Sequence, residues 1–259
     1  MSNFNYKKVL IIGATSGIGQ ALAEKFLKEG IQVVVTGRRE DRLRTFAEQN
    51  GGAYEVFDLT KLQDIPKFVE KLTNDHHDID AVLLNSGIQR GFNFTKPETV
   101  DLDVITEELT VNYLSYIHLT TALLPFLLKK DSSALIYVSS VLGMVPIARC
   151  PNYCATKAAL HHFVLSLRNQ LKDTSVKVLE ILPPAVQTEL HDEVNQPDLK
   201  EAGKIGMPLE EFVEETWKDL TTGNEADEYP IGFGKMIYGA IEPPRKAIME
   251  KFPQTPANI

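Results

Sequence analysis

Among 259 residues there are only two cysteines, Cys150 and Cys154, and one tryptophan, Trp217. Two thiols cannot build the disulfide framework on which small secreted domains rely, and they fit a reducing compartment. No stretch approaches the ~20 consecutive apolar residues that cross a bilayer. No H-E-x-x-H or C-x-x-C spacing offers ligands to a metal. Basic residues are in deficit: 27 Lys and Arg against 35 Asp and Glu leave a net charge of −8. A chain of that sign without a basic run is a poor match for a nucleic-acid backbone or an anionic membrane. The first apolar run, Val9-Leu10-Ile11-Ile12, is too short for a signal-peptide core and ends in a glycine loop. The terminal Ala257-Asn258-Ile259 matches no peroxisomal or retention address. The cytoplasm is the expected location.

The chain has 43% apolar and 24% charged residues, enough of both for a core and a solvated surface. At this length a single large domain, 1–259, is expected. Its apolar patterns alternate in type. Short β-branched runs predict strands at 8–12, 31–36, 53–58, 79–85, 133–139 and 176–182. Amphipathic runs predict helices between them at 17–29, 40–49, 64–74, 103–128 and 153–171. Near-continuous apolar strands separated by helices imply an α/β fold, a doubly wound parallel sheet covered on both faces. Beyond Leu182 the pattern loosens. Residues 184–225 read as a substrate lid containing a helix at 208–220. A last strand is expected at 229–233, and the tail, with Pro243, Pro244, Pro253 and Pro256, reads as irregular surface chain.

The loop after the first strand is Gly13-Ala14-Thr15-Ser16-Gly17-Ile18-Gly19. Glycines at a strand–helix junction allow a tight turn and a close backbone approach to a pyrophosphate, with the helix N-terminus supplying donors. In such folds a carboxylate at the end of the second strand binds the adenosine ribose, and arginine accommodates a 2′-phosphate. Here Thr36-Gly37 carry no carboxylate and Arg38-Arg39 follow. Two guanidiniums can each grip a phosphate bidentately, so the cofactor expected is NADP(H).

Tyr153 and Lys157 stand at i and i+4 on a predicted helix and share a face. Ser139-Ser140 end the fifth strand, at the edge where open α/β sheets bind ligands. A hydroxyl, a phenol and an ammonium can thus converge. Carbonyl reduction by hydride needs a proton donor at the developing alkoxide, and an ammonium favours the phenolate form of a neighbouring tyrosine.

With these motifs in place, the chain resembles the short-chain dehydrogenase/reductase family over about residues 7–240. The family pattern T-G-x-x-x-G-x-G is represented by Ile12 to Gly19. Asp58-Leu59 stands for the pair that touches adenine. Leu84-Asn85-Ser86-Gly87 stands for N-N-A-G, and Asn112 for the helix asparagine. The family's serine precedes the tyrosine by thirteen residues, which selects Ser140. Pro183-Pro184-Ala185-Val186-Gln187-Thr188 stands for P-G-x-x-x-T. Ile12, Leu84 and Pro184 depart from the pattern, and none removes a catalytic group. The resemblance implies a Rossmann-like sheet of about seven strands, with cofactor scaffold and catalytic centre at 7–183, lid at 184–225 and C-terminal strand and tail at 226–259. It implies Tyr153 as acid/base, Lys157 on the nicotinamide ribose, Ser140 orienting substrate and Asn112 anchoring a water. Gly13, Thr15, Ser16, Gly17, Ile18, Gly19, Arg38, Arg39, Asp58, Leu59, Asn85, Ser86, Gly87, Tyr153, Lys157, Pro183, Val186 and Thr188 would contact cofactor. The two long helices would build a homodimer or homotetramer.

The expected activity is interconversion of a small-molecule carbonyl and a secondary alcohol. The alternatives weighed are a non-catalytic NADP(H) sensor and a nucleotide-dependent epimerase. Ile88, Phe92, Phe94, Met144, Val145, Ile147, Leu190 and Met207 suggest a moderately apolar substrate. His76-His77 and His161-His162 read as surface or packing residues, and the two cysteines as buried apolar ones. Trp217, Phe212 and Val213 fit equally a substrate pocket and the lid's own packing face.

Overall fold

The computed structural model describes residues 4–199, 204–222 and 226–252. The predicted tail prolines Pro253 and Pro256, the terminal tripeptide and parts of the lid fall outside the described residues. Seven parallel strands form one sheet in the order β3-β2-β1-β4-β5-β6-β7. They are β1 (Lys8–Ile12), β2 (Gln32–Gly37), β3 (Ala53–Val56), β4 (Ala81–Leu84), β5 (Ser133–Val138), β6 (Val176–Leu182) and β7 (Glu228–Pro230). The order reverses beside β1, where β2 lies on one side and β4 on the other. A crevice opens at the carboxyl ends of such strands, because the flanking helices depart to opposite faces.

Strand alternation decides which residues meet which helices. Val9 and Ile11 face one core with Leu22, Phe26, Leu43, Phe46, Phe212 and Val213. These come from α1 (Gly17–Lys28), α2 (Glu40–Asn50) and α7 (Leu209–Thr221). Leu10 and Ile12 face the other core with Ile65, Val69, Tyr116, Leu119, Leu160 and Val164. Those lie on α3 (Ile65–Asp75), α5 (Ser115–Leu127) and α6 (Pro151–Leu171). Among the described residues no helix is long and apolar enough to cross a membrane.

Two expectations are corrected. The single helix predicted at 103–128 is α4 (Leu102–Leu109) and α5, joined by a π-helical turn, Thr110–Leu114, that carries Asn112. A π turn inserts an extra residue into the ladder and re-aims a side chain, which hydrophobic periodicity does not register. The predicted irregular tail is largely a helix, α8 (Gly234–Met249), that runs through Pro243 and Pro244. An interior proline costs a helix ~3 kcal/mol. Burial and charge pairing offset that cost: Glu242, just before the proline pair, is completely buried, ion-paired to His161 of α6 and to Arg245 one turn further along α8.

Trp217 packs against Phe4 and Phe26 with Lys25 over its ring, so α7 uses it to dock on α1. That resolves the reading of Trp217 in favour of packing. Cys150 and Cys154 are buried and unbridged. Burial, and then the neighbouring Cys154, push the Cys150 thiol up to about 12. Both thiols pack with Tyr153 and Leu142 in one small buried cluster.

Candidate active site

One cleft of about 540 Å³ runs along the carboxyl ends of the strands at the switch point. Every residue expected to touch cofactor lines it except Gly19, and Ser140 lines it too; Asn112 does not. Gly19 acts from behind. A Cβ there would lie 2.1 Å from the Gly13 carbonyl oxygen, so only glycine lets α1 approach β1 this closely. Gly13 sits at φ 89°, where a side chain is strained, and its Cβ would collide with Ser86. Asn85 Nδ2 donates to the Gly13 carbonyl at 2.8 Å and braces the loop. The bare backbone, the helix N-terminus and two nearby guanidiniums together form a cradle suited to a dinucleotide.

At the adenosine end the two arginines part company. Arg39 donates to Thr15 Oγ1 at 2.7 Å and to Ser16 Oγ at 2.8 Å. Arg38 is about half exposed, and its one ion pair among the described residues is a 3.7 Å contact to Glu107. Glu189 bridges Arg39 at 2.9 Å and Arg42 at 2.6 Å. Burial pushes the Glu189 carboxyl up, but the bonds from Arg42 and Arg39 outweigh it and hold it below its ordinary value. Arg42 and Glu189 carried no recognisable signal in sequence. Asp58 accepts from the Thr60 N–H at 3.0 Å and lines the cleft with Leu59.

At the other end Ser140, Tyr153 and Lys157 converge. Ser140 follows β5, and its Oγ accepts from the Leu142 N–H at 3.1 Å. Tyr153 and Lys157 project from one face of α6, and both are nearly inaccessible. Lys157 Nζ donates to the Val138 carbonyl at 2.9 Å and stands 5.7 Å from the Tyr153 ring centroid. Burial drives the Lys157 ammonium down to about 8, with Glu180 pulling the other way. Burial also pushes the Tyr153 phenol well above its ordinary value, opposed by the Ser140 hydrogen bond. The sequence reading has the ammonium lowering the phenol. In the chain alone desolvation wins, because Lys157 is bonded to a backbone carbonyl and not to the phenol oxygen.

Asn112 lies behind this group. Its Oδ1 accepts from the Ile88 N–H, and its Nδ2 donates to the Ile88 carbonyl and to Thr156 Oγ1. It thus ties the π turn to the strand-end loop beneath Gly87, which faces both Asn112 Oδ1 and Lys157 Nζ. Glu108, fully buried, accepts from the Arg90 N–H at 2.9 Å and from Asn152, the neighbour of Tyr153. Gln89, Arg90, Arg149, His191 and Asn195 also line the cleft. No motif in the sequence pointed to them. Of the apolar residues suggested for substrate, Ile88, Ile147 and Leu190 line it, whereas Phe92, Phe94, Met144, Val145 and Met207 do not. Leu142, Leu199 and Ile205 line it as well, so the wall remains largely apolar with polar groups set into it.

The fold and the cleft define an α/β oxidoreductase built on a dinucleotide cradle. The chain belongs to the short chain dehydrogenase family, whose model matches residues 7–199. It is 36% identical over 220 residues to the uncharacterized oxidoreductase DltE of Bacillus subtilis, covering 84% of this chain and 85% of that one. It is 31% identical over 196 residues to an NADP-dependent 3-hydroxy acid dehydrogenase of Schizosaccharomyces pombe, covering 73% and 75%. A short chain dehydrogenase from Burkholderia cenocepacia, solved with NADP, shares the fold at TM-score 0.78 and 22% identity over 98% of this chain and 100% of that one.

Proposed function

We propose that this protein is an NADP(H)-dependent oxidoreductase that interconverts a carbonyl and a secondary alcohol, working as one domain. The observation that carries the reading is the placement of Ser140, Tyr153 and Lys157 on the wall of the same cleft as the glycine loop. The nicotinamide, when bound, supplies or accepts the hydride. Tyr153 is the acid/base. In the reducing direction its phenol gives a proton to the carbonyl oxygen as the hydride adds to carbon. In the oxidising direction its phenolate takes the hydroxyl proton while the C–H electron pair leaves with the hydride. Ser140 orients the oxygen by hydrogen bond. Lys157, held by Val138, places positive charge under the phenol, where it favours the phenolate. Asn112 positions the loop above Lys157. A non-catalytic sensor needs only the cradle, and it leaves the costly burial of Lys157 without use. Steady-state oxidation of NADPH against a panel of carbonyl compounds tests the reading, and tight NADPH binding without turnover of any of them would sink it.

NADP(H) preference is supported by Arg39 on the glycine-loop hydroxyls, by Arg38 beside it, and by the cofactor named for the fission-yeast relative. Arg39→Ala is expected to raise the NADPH Kd at least ~10-fold and the NADH Kd less than ~3-fold, because only the former loses a charge-assisted phosphate contact. Arg38→Ala should act in the same direction and more weakly. Glu189→Gln should tighten NADPH, since its carboxylate competes for the Arg39 donors. Equal weakening of both cofactors by Arg39→Ala, read by fluorescence titration, would remove the phosphate assignment.

A further inference from the structure

Two cations stand at the substrate end of the cleft, and neither is needed for cofactor or proton transfer. Arg90 follows β4 at the end of the Asn85–Arg90 segment, and Arg149 precedes α6. Both line the cleft. They are neighbours in space: the Phe92 N–H donates to the Arg149 carbonyl at 3.0 Å, and a Cβ on Gly91 would lie 3.4 Å from Arg149 Nη2. The carboxylates that line the cleft, Asp58 and Glu189, lie at the adenosine end.

The two guanidiniums are differently committed. Arg149 spends Nε and Nη2 on the half-exposed carboxylate of Asp198, both at 2.7 Å, and among the described residues no protein acceptor takes a hydrogen bond from its Nη1. Arg90 donates from Nη1 to the Gln89 carbonyl at 2.8 Å and forms no ion pair among the described residues. Its main chain is fixed by the buried Glu108 carboxylate, which binds the Arg90 N–H and, through Asn152, the start of the helix bearing Tyr153. Burial raises the Glu108 carboxyl and the Arg90 charge works against that rise, so Glu108 compensates Arg90 in part, while the guanidinium keeps donors that a carboxylate in the cleft can complete.

We propose that Arg90, assisted by Arg149, is a carboxylate-binding arm, and that the substrate is a small hydroxy acid with its corresponding oxo acid. The inference rests on the oxidoreductase reading above and names its substrate class. A planar fork of N–H donors matches a carboxylate bidentately, which fixes both the position and the orientation of the carbinol carbon relative to Tyr153. The Arg149–Asp198 pair anchors the segment after Leu190 across the same end.

The test uses lactate, 3-hydroxybutyrate and 4-hydroxypentanoate, each against its methyl ester, with NADP⁺ and the full chain. Turnover is followed by absorbance, and binding to cofactor-loaded protein by calorimetry. For at least one pair the acid should exceed the ester by about 100-fold in kcat/KM, because a site built around unpaired donors rejects the analogue that lacks the anion. Arg90→Gln should shrink that ratio at least ~10-fold, and Arg90→Lys should restore part of it, since lysine keeps the charge but not the fork. The lysine variant also separates loss of recognition from loss of folding. Equal turnover and equal binding of acid and ester in every pair would overturn the inference, as would an Arg90→Gln variant that lowers both alike. Selective binding of an acid without any turnover would uphold the arm and overturn the oxidoreductase reading instead.

Discussion

Tyr153→Phe is expected to reduce kcat by about 10²–10⁴-fold, the range contributed by a positioned general acid/base. The change deletes one oxygen from a side chain that is almost wholly buried. The ring keeps its packing in the small cluster with Cys150, Cys154 and Leu142. Lys157 keeps its bond to Val138. The cradle of Gly13, Ser16 and Gly17 is untouched, so the NADPH Kd should move less than about threefold, under ~1 kcal/mol. Stopped-flow and steady-state rates, paired with fluorescence titration of cofactor, separate the two effects. Retention of most activity would remove Tyr153 from the role proposed for it.

The second large effect lies away from the cleft, in a buried ion cluster. His161, one turn beyond Lys157 on α6, is fully inaccessible. Its Nδ1 meets the Glu180 carboxylate on β6 at 2.8 Å, and its Nε2 lies 3.3 Å from Glu242 on α8. Arg245 donates to both Glu242 oxygens and to His162 Nε2, and its guanidinium abuts the His161 ring. Burial and Arg245 disfavour the imidazolium, but the bonds to Glu180 and Glu242 win and raise His161 to about 9. A raised pKa means the folded state holds the proton more tightly. The stabilisation is therefore fully present below the unfolded value of ~6.5 and is lost as pH rises toward 9, on the order of 3 kcal/mol in all. Lys157 works in the opposite sense. Its value is depressed to about 8, so stability recovers as pH rises above that point. Subtracting the denaturation curves of a His161→Gln variant from those of the wild type isolates the histidine. The difference should decline between pH ~6.5 and ~9, and a flat difference would mean that His161 is neutral in the folded protein. Glu242→Gln should cost about 3–5 kcal/mol at neutral pH, because it leaves buried charge uncompensated.

Histidines 161 and 162 show how far sequence alone reaches. As adjacent residues on a helix they present no ligand pair, and a surface or packing role follows. Which of the two depends on Glu180 and Glu242, 19 and 81 positions downstream. Nothing local marks those carboxylates as partners. Asn112 is similar. The family resemblance singled it out, but the π turn that aims it at Ile88 leaves no trace in a 3.6-residue pattern. The two prolines in α8 mislead for the reverse reason. They are strong local signals, and a buried ion pair and the packing of the helix override them.

The alternation of strand and helix, the parallel sheet, the glycine cradle and the shared face of Tyr153 and Lys157 are all legible in the order of residues along the chain. Those properties are written in short-range periodicity and in steric permission at single positions, so they survive without knowledge of distant contacts. Long-range packing decides that Arg39, more than Arg38, meets the loop hydroxyls, that Glu189 reaches across to it, and that Arg90 and Arg149 line the same cleft as Tyr153. It also decides that His161 is locked between two carboxylates. Each depends on long, flexible or charged side chains from segments far apart in the chain. Their positions follow from the packing of the whole sheet, where burial makes a charge costly until a partner from elsewhere arrives.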